Sequence, residues 1–209
     1  MPFNLENLVK YRPYLYHLTS RQNLASIRLD RQLRCANQLL DHAKLERLAW
    51  QRRLEHLVIG GENGPVLIRD QGPLSAGSID FEDGWTIGRF VRHINAHVFF
   101  WPGTSAGPVE AGRHHFERYL HESPVIIRID TDRVTSDALL FSRYNSGAPR
   151  CSGGKNSHRG ASTYLPADKF TGTVSKVVEI VAPGKMLLPD STEFSDSPGG
   201  PWQSLFSAN

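Results

Sequence analysis

A chain of 209 residues, 39% hydrophobic and 22% charged, can bury a full core as one domain, and that balance excludes wholesale disorder. The net charge of +3 and pI near 9.0 are mildly basic, and no run approaches the roughly 18 apolar residues of a membrane helix. The two cysteines, Cys35 and Cys151, have no metal-like spacing, so no disulfide framework or metal site is implied and a reducing cytoplasm is expected.

Met1–Lys10 lacks the basic start and apolar run of a secretory leader. Tyr14-Leu15-Tyr16-His17-Leu18 alternates aromatic and aliphatic residues and runs into Thr19-Ser20, which predicts a short strand ending at a helix N-cap. The helix that follows carries Leu24 and Ile27 at helical spacing and frays near Asp30. A longer helix is predicted from about Gln38 to Leu57. Its apolar stripe is Leu40, Ala43, Trp50, Leu54 and Leu57, Asn37 can cap it, and Arg47 falls on the same stripe. Gly60 to Pro65 breaks the chain before a short strand, Val66-Leu67-Ile68.

Asp83 can cap a helix running through Ile94, and His97-Val98-Phe99-Phe100-Trp101 is an apolar strand ended by Pro102-Gly103. A helix around Arg113 to His121 leads through Pro124 into the buried strand Val125–Ile129, and Ala138 to Phe141 is extended. Arg143 to Gly160 reads as a long irregular loop, a feature that inside a compact domain is usually functional. The last strand is Lys176–Val181, stopped by Pro183-Gly184. After it, Ser191 to Pro201 reads as a loose terminus from which Trp202 and Phe206 can dock back. Strands with helices grouped toward the N-terminal half predict an α+β domain with a mixed or antiparallel sheet over residues 1–190, followed by a Ser/Pro/Gly-rich tail at 191–209.

Charge is unevenly spread. Between Phe141 and Lys176 six basic residues (Arg143, Arg150, Lys155, Arg159, Lys169, Lys176) face one acid, Asp168. Such a segment attracts nucleic acid, a dinucleotide or an acidic surface, unless it is simply a solvated loop. Gly153-Gly154-Lys155 is not a phosphate-binding loop, because Pro149 stands where the first glycine belongs and Asn156 where Ser or Thr belongs. His114, Glu117 and His121 share a helical face, an arrangement far commoner as exposed polar surface than as a zinc site. No Gly-x-Ser-x-Gly elbow is present, and neither cysteine has a neighbouring base.

Two features carry chemistry. His17 and Thr19, two apart on a strand, point to the same side of a sheet and suit a ribose diol or carboxamide. The alternative for His17 is a core histidine satisfied by a backbone carbonyl. Glu179 is a lone carboxylate in an apolar strand; it sits on an edge, pairs with a base such as Arg47, or lines a cleft.

The run Tyr16-His17-Leu18-Thr19-Ser20-Arg21-Gln22-Asn23-Leu24-Ala25-Ser26-Ile27 resembles the N-terminal motif of the DarT-like nucleic-acid ADP-ribosyltransferases. It is more distantly similar to the first strand of the wider superfamily, which includes poly(ADP-ribose) polymerases and RNA 2′-phosphotransferases. Val98-Phe99-Phe100-Trp101 resembles the strand flanking the nicotinamide pocket, and Val177-Val178-Glu179-Ile180 resembles the motif that supplies the catalytic glutamate. The resemblance implies a split-sheet ADP-ribosyltransferase fold with NAD as co-substrate. It implies that His17, Leu18 and Thr19 grip NAD, with Asn23 near the nicotinamide ribose and Phe100 or a neighbouring aromatic against the nicotinamide. Glu179 is then the catalytic carboxylate. Arg47 first, and Arg53 second, would hold the pyrophosphate or the acceptor.

Enzymes of this kind that modify protein arginine carry Glu or Gln two residues before the catalytic glutamate, and this chain has Val177 there. Arg143, Tyr144, Lys155 and Arg159 would suit a nucleic-acid acceptor, DNA or RNA. By resemblance the protein is a toxin or anti-phage effector with an antitoxin or ADP-ribose-removing partner. The competing expectations are an RNA 2′-phosphotransferase-like enzyme using Arg28, Arg31 and Arg34, and a non-catalytic binding module.

Overall fold

The computed structural model describes residues 1–134, 138–148 and 158–206. Among them are five α-helices: α1 (Leu5–Tyr11), α2 (Leu24–Asp30), α3 (Ala36–His42), α4 (Ile87–Ile94) and α5 (Glu110–Arg118). The strands of the first half are β1 (Tyr14–Ser20), β2 (Gln32–Arg34), β3 (Leu57–Gly61), β4 (Gly64–Ile68), β5 (Asp80–Phe81), β6 (His97–Thr104) and β7 (Gly107–Pro108). Those of the second half are β8 (Pro124–Asp130), β9 (Leu140–Ser142), β10 (His158–Arg159), β11 (Leu165–Pro166), β12 (Glu179–Pro183), β13 (Lys185–Leu187), β14 (Glu193–Ser195) and β15 (Gln203–Ser204). The protein is therefore α+β, as its pattern of elements predicts.

The main sheet has the order β11-β9-β12-β6-β1-β8-β14-β15, with β7 on β6, and each of its pairings is antiparallel. Its central strand changes partner halfway. The first half of β6 pairs with β12, from Pro183↔His97 to Ile180↔Phe100. The second half pairs with β1, from Tyr16↔Trp101 to Tyr14↔Gly103. Beyond Tyr16, β1 runs on against β8 as far as Ser20↔Pro124. β1 and β6 thus part after Tyr16 and Trp101, and the sheet forks.

Alternation along the strands feeds two layers of helices. On one face Leu15, Phe100, Ile127 and Ile180 pack with Leu8 of α1 and with Leu24 and Ile27 of α2. On the other, Tyr16, Leu18, Trp101 and Ile126 meet Phe116 and Tyr119 at α5, while Val181 meets Phe90, Val91 and Ile94 of α4.

Several local expectations are corrected. The helix expected from Gln38 to Leu57 stops at His42: Lys44 takes a left-handed φ of 58°, and a short 3-10 turn, Glu46–Trp50, follows. Leu40 and Ala49 are buried against Ile59, Val66 and Ile68 of the β3–β4 hairpin, whereas Trp50 and Leu54 are exposed. The tertiary contact with the hairpin outweighs the helical periodicity. Gly60–Pro65, expected as a break, is the tip of that hairpin. Thr86, not Asp83, caps α4, its Oγ1 accepting from Arg89 N–H at 3.2 Å. The strand expected to be the last opens at Glu179 rather than Lys176, because Val174–Lys176 forms a 3-10 turn, and β13, β14 and β15 follow it.

The stretch expected as a loose terminus is built into the sheet. β14 pairs with β8, Glu193 pairs with Arg128, and Leu205 is buried. Trp202 packs 5.8 Å from Tyr16, and Arg31 lies over Phe206 at 4.0 Å. Among the described residues no helix is long and apolar enough to cross a membrane.

Candidate active site

The fork opens on a cavity of about 270 Å³, just below the range of about 300 to 1,000 Å³ usual for ligand sites. His17 and Thr19 line it from β1, Phe99 and Trp101 from β6, and Glu179 from the start of β12. His17, expected to grip NAD, and Glu179, expected as the catalytic carboxylate, are 162 positions apart in the chain and line one space.

His17 Nδ1 lies 2.9 Å from the carbonyl oxygen of Phe99. Burial, together with the nearby charge of Arg69, lowers the imidazole pKa to about 4 against the opposing pull of that carbonyl. The ring is neutral near pH 7, and since a carbonyl only accepts, Nδ1 carries the proton and Nε2 is left as an acceptor. The core-histidine alternative is half right: a backbone carbonyl satisfies one ring nitrogen, yet the residue lines the cavity.

Glu179 is 2% exposed. Its Oε2 accepts from the Ser146 N–H at 3.1 Å and the Ser146 hydroxyl at 2.6 Å. Ser146 Oγ in turn accepts from the buried Tyr164 hydroxyl at 2.8 Å. Burial raises the carboxyl pKa to about 7, against the opposing effect of the Ser146 hydrogen bonds and the charge of Arg159. A carboxyl poised there can act in either protonation state at neutral pH, which is the usual mark of acid–base or charge-stabilising function.

Arg34, Arg53 and Arg69 are the cations of the lining, where Asp30 and Asp70 join Glu179 as its carboxylates. Arg53 Nε donates to Arg69 O at 2.9 Å and Nη2 to Asn95 Oδ1 at 3.1 Å. Burial lowers its pKa to about 10, so it stays charged. Arg69 pairs with Glu122 at 3.0 Å and lies over Tyr119 at 4.4 Å. Arg53 Nη1, Arg69 Nε and Trp101 Nε1 are buried with no hydrogen-bond partner among the described residues. Each such group costs about 1–3 kcal/mol unless something accepts its proton. The residues that carry these buried atoms line the cavity, and the two guanidinium groups among them fit an anionic ligand.

The other expected site residues divide. Leu18, Thr19 and Asn23 line the cavity. The Asn23 amide is already engaged: it donates to Thr19 Oγ1 at 3.1 Å and Leu67 O at 2.9 Å and accepts from Leu67 N–H at 2.8 Å. Asn23 thereby clamps the β3–β4 hairpin to β1. Phe100 points into the core 5.7 Å from His17, and its neighbours Phe99 and Trp101 take the cavity side. Arg47 is exposed and outside the lining, because the helix that would carry it inward ends at His42. Arg53, the second choice, is the arginine that reaches the cavity.

The basic loop is less unified than its composition implies. Arg143 binds Thr171 and lies over Phe170, while Arg159 is buried over the Tyr144 ring at 4.2 Å. Lys155, with Cys151, Gly153 and Gly154, lies outside the described residues. Arg28 donates to Leu205 O and Arg31 pairs with Asp190, so both are spent on the C-terminal segment; Arg34 lines the cavity beside Asp30.

Sequence reasoning missed Ser146, Arg69, His115 and Asn145. His115, ringed by Trp101 at 4.8 Å and Tyr119 at 5.1 Å, is held neutral by burial and by Arg69, with a pKa of about 3. No local pattern marks these residues; Arg69, His115 and Asn145 reach the cavity, and Ser146 reaches Glu179 behind it, through tertiary packing alone.

The site thus belongs to an α+β protein with a forked antiparallel sheet and, at the fork, a largely apolar cavity into which His17, Arg53, Arg69 and Glu179 are set. Residues 13–186, which contain both His17 and Glu179, match a family described as a family of unknown function (DUF7002), and the chain belongs to that family. No curated protein matches the chain.

Proposed function

We propose that the protein is an NAD-dependent ADP-ribosyltransferase that modifies nucleic acid, with an ADP-ribosyltransferase-like fold of the DarT kind. The observation that carries this reading is the pairing, in one cavity at the fork, of a neutral histidine on β1 with a buried carboxyl of raised pKa on β12. The forked sheet and the arginines Arg53 and Arg69 on the cavity lining support it.

NAD enters as a co-substrate. His17 Nε2 accepts a hydrogen bond from a ribose hydroxyl, and Phe99 or Trp101 offers the nicotinamide an aromatic face. Arg53 and Arg69 meet the pyrophosphate charge. The bond between C1′ and the nicotinamide nitrogen breaks, its electron pair leaves with nicotinamide, and positive charge develops on C1′ and the ring oxygen. Glu179 as carboxylate stabilises that charge, an effect worth several kcal/mol in enzymes generally. The acceptor's nucleophilic atom then bonds to C1′ and gives its proton to Glu179, whose raised pKa suits it to take one. Val177 is buried in the core, so no group two residues before Glu179 is available to orient a protein arginine.

The test is incubation with NAD labelled in its ADP-ribose portion and separate pools of DNA, RNA and protein, comparing wild type with Glu179→Ala. Label on nucleic acid that disappears in the variant supports the reading. Absence of both transfer and nicotinamide release in every pool sinks it.

A further inference from the structure

A second cavity, of about 700 Å³, abuts the first. The two share His115 and Asn145, and Val177 and Val178, which lead into Glu179, line the second. Three arginines line it as well: Arg12, which follows α1, and Arg113 and Arg118 of α5. Glu110 is the carboxylate in that lining, and it sits 3.8 Å from His114. Among the described residues Arg12, Arg113 and Arg118 form no salt bridge. Arg12 Nε is buried without a hydrogen-bond partner.

Three uncompensated guanidinium groups around one concavity make a focused positive field, and guanidinium is the group best matched to phosphate oxygens. A concave space of this size admits a single strand. A duplex, in contrast, is read by elements that protrude into its grooves. The neutral ring of His115, on the shared wall, gives a base an aromatic edge near the fork.

We infer that this second cavity is the acceptor groove, which binds the phosphodiester backbone of single-stranded nucleic acid through Arg12, Arg113 and Arg118 and leads it past His115 toward Glu179. The role of acceptor rests on the transferase reading; the binding itself does not. Arg143 is not in the lining of the groove and is tied to Thr171.

The experiment is fluorescence anisotropy of labelled single-stranded DNA and RNA oligonucleotides with the full chain across a salt series. It compares wild type, the Arg113→Ala/Arg118→Ala double variant, and Lys185→Ala as an exposed charge control. The double variant should bind about tenfold more weakly or worse, and its slope of log K against log salt should be shallower by about 1.4, since each single-strand phosphate contact contributes about 0.7. Lys185→Ala should follow wild type. Preference for DNA or RNA names the source of the phosphates. Equal affinity and slope in wild type and double variant, no binding of either oligonucleotide, or equally effective competition by polyglutamate overturns the groove. Nicotinamide release is measured in the same preparations. Release without oligonucleotide binding overturns the groove alone, whereas the expected binding without release or label transfer supports the groove and overturns the transferase reading.

Discussion

His17 Nδ1 donates to the carbonyl of Phe99 at 2.9 Å across the point where β1 and β6 separate. A side chain there does what a backbone N–H does in an unbroken ladder, so the strands can part without leaving a buried carbonyl unpaired. Replacing His17 by Ala should cost about 1–3 kcal/mol of stability through that carbonyl and also weaken NAD binding. Chemical denaturation and calorimetric titration with NAD read the two effects separately. A loss of stability with unchanged NAD affinity would remove His17 from the site.

Glu179 pays for its place in ionisation, since burial disfavours its charged form. Glu179→Gln keeps the shape and removes the charge, so melting at pH 7.5 should be unchanged or higher while nicotinamide release falls by about 10²–10³ or more. A destabilised variant with retained turnover would contradict both halves of this expectation.

Ser146 donates to Glu179 and accepts from Tyr164. Ser146→Ala removes a hydrogen bond to the charged carboxylate, which raises the Glu179 pKa further, and leaves the Tyr164 hydroxyl without its acceptor. The acidic limb of the kcat/KM profile should move to higher pH, with a stability loss of about 1–3 kcal/mol. An unmoved limb would show that Ser146 does not set the ionisation of Glu179.

Acid should unfold this protein readily. His17 and His115 fall from an ordinary 6.5 to about 4 and about 3 in the folded state. Between about pH 4.5 and 6.5 the unfolded chain therefore binds protons at both histidines that the native state refuses, and stability rises with pH. Glu179 opposes this, because its pKa rises from 4.5 to about 7, so the native state holds a proton that the unfolded chain gives up. Two histidines against one carboxyl leave a net slope on the order of 1.4 kcal/mol per pH unit. His93 and His97, also lowered by burial, add to the same side. Thermal melts should climb from pH 5 to 6.5 and then level off; a flat or falling curve over that range would contradict the neutral burial of these rings.

Much of the fold was legible where the signal is local. The alternation of Tyr14–Leu18, the apolar runs at His97–Trp101 and Val125–Ile129, and the pairing of His17 with Thr19 all locate real strands. The candidate site was legible only at its ends. Glu179 stood out because a carboxylate in an apolar strand demands an explanation, while Ser146, Arg69 and His115 are ordinary in their own neighbourhoods. Arg47 and Arg53 exchanged places for one physical reason. Lys44 adopts a left-handed backbone, and no apolar stripe records that break. Likewise Phe100 and Phe99 differ by one step in strand phase, which a run of three aromatics conceals.

The short strand Glu193–Ser195 lies beyond the span matched by the family and still completes the sheet by covering β8. Without it, the row of N–H and C=O groups along Val125–Ile129 would be an open template for another chain. A version cut after Pro189 would keep every residue of the cavity lining yet expose that edge. Its failings would be a core weakened by the loss of Phe194 and Leu205 and self-association through the bared edge, the latter visible as a concentration-dependent shift in sedimentation. Strand β14 thus occupies an edge of β8 at which a second copy would otherwise find pairing groups.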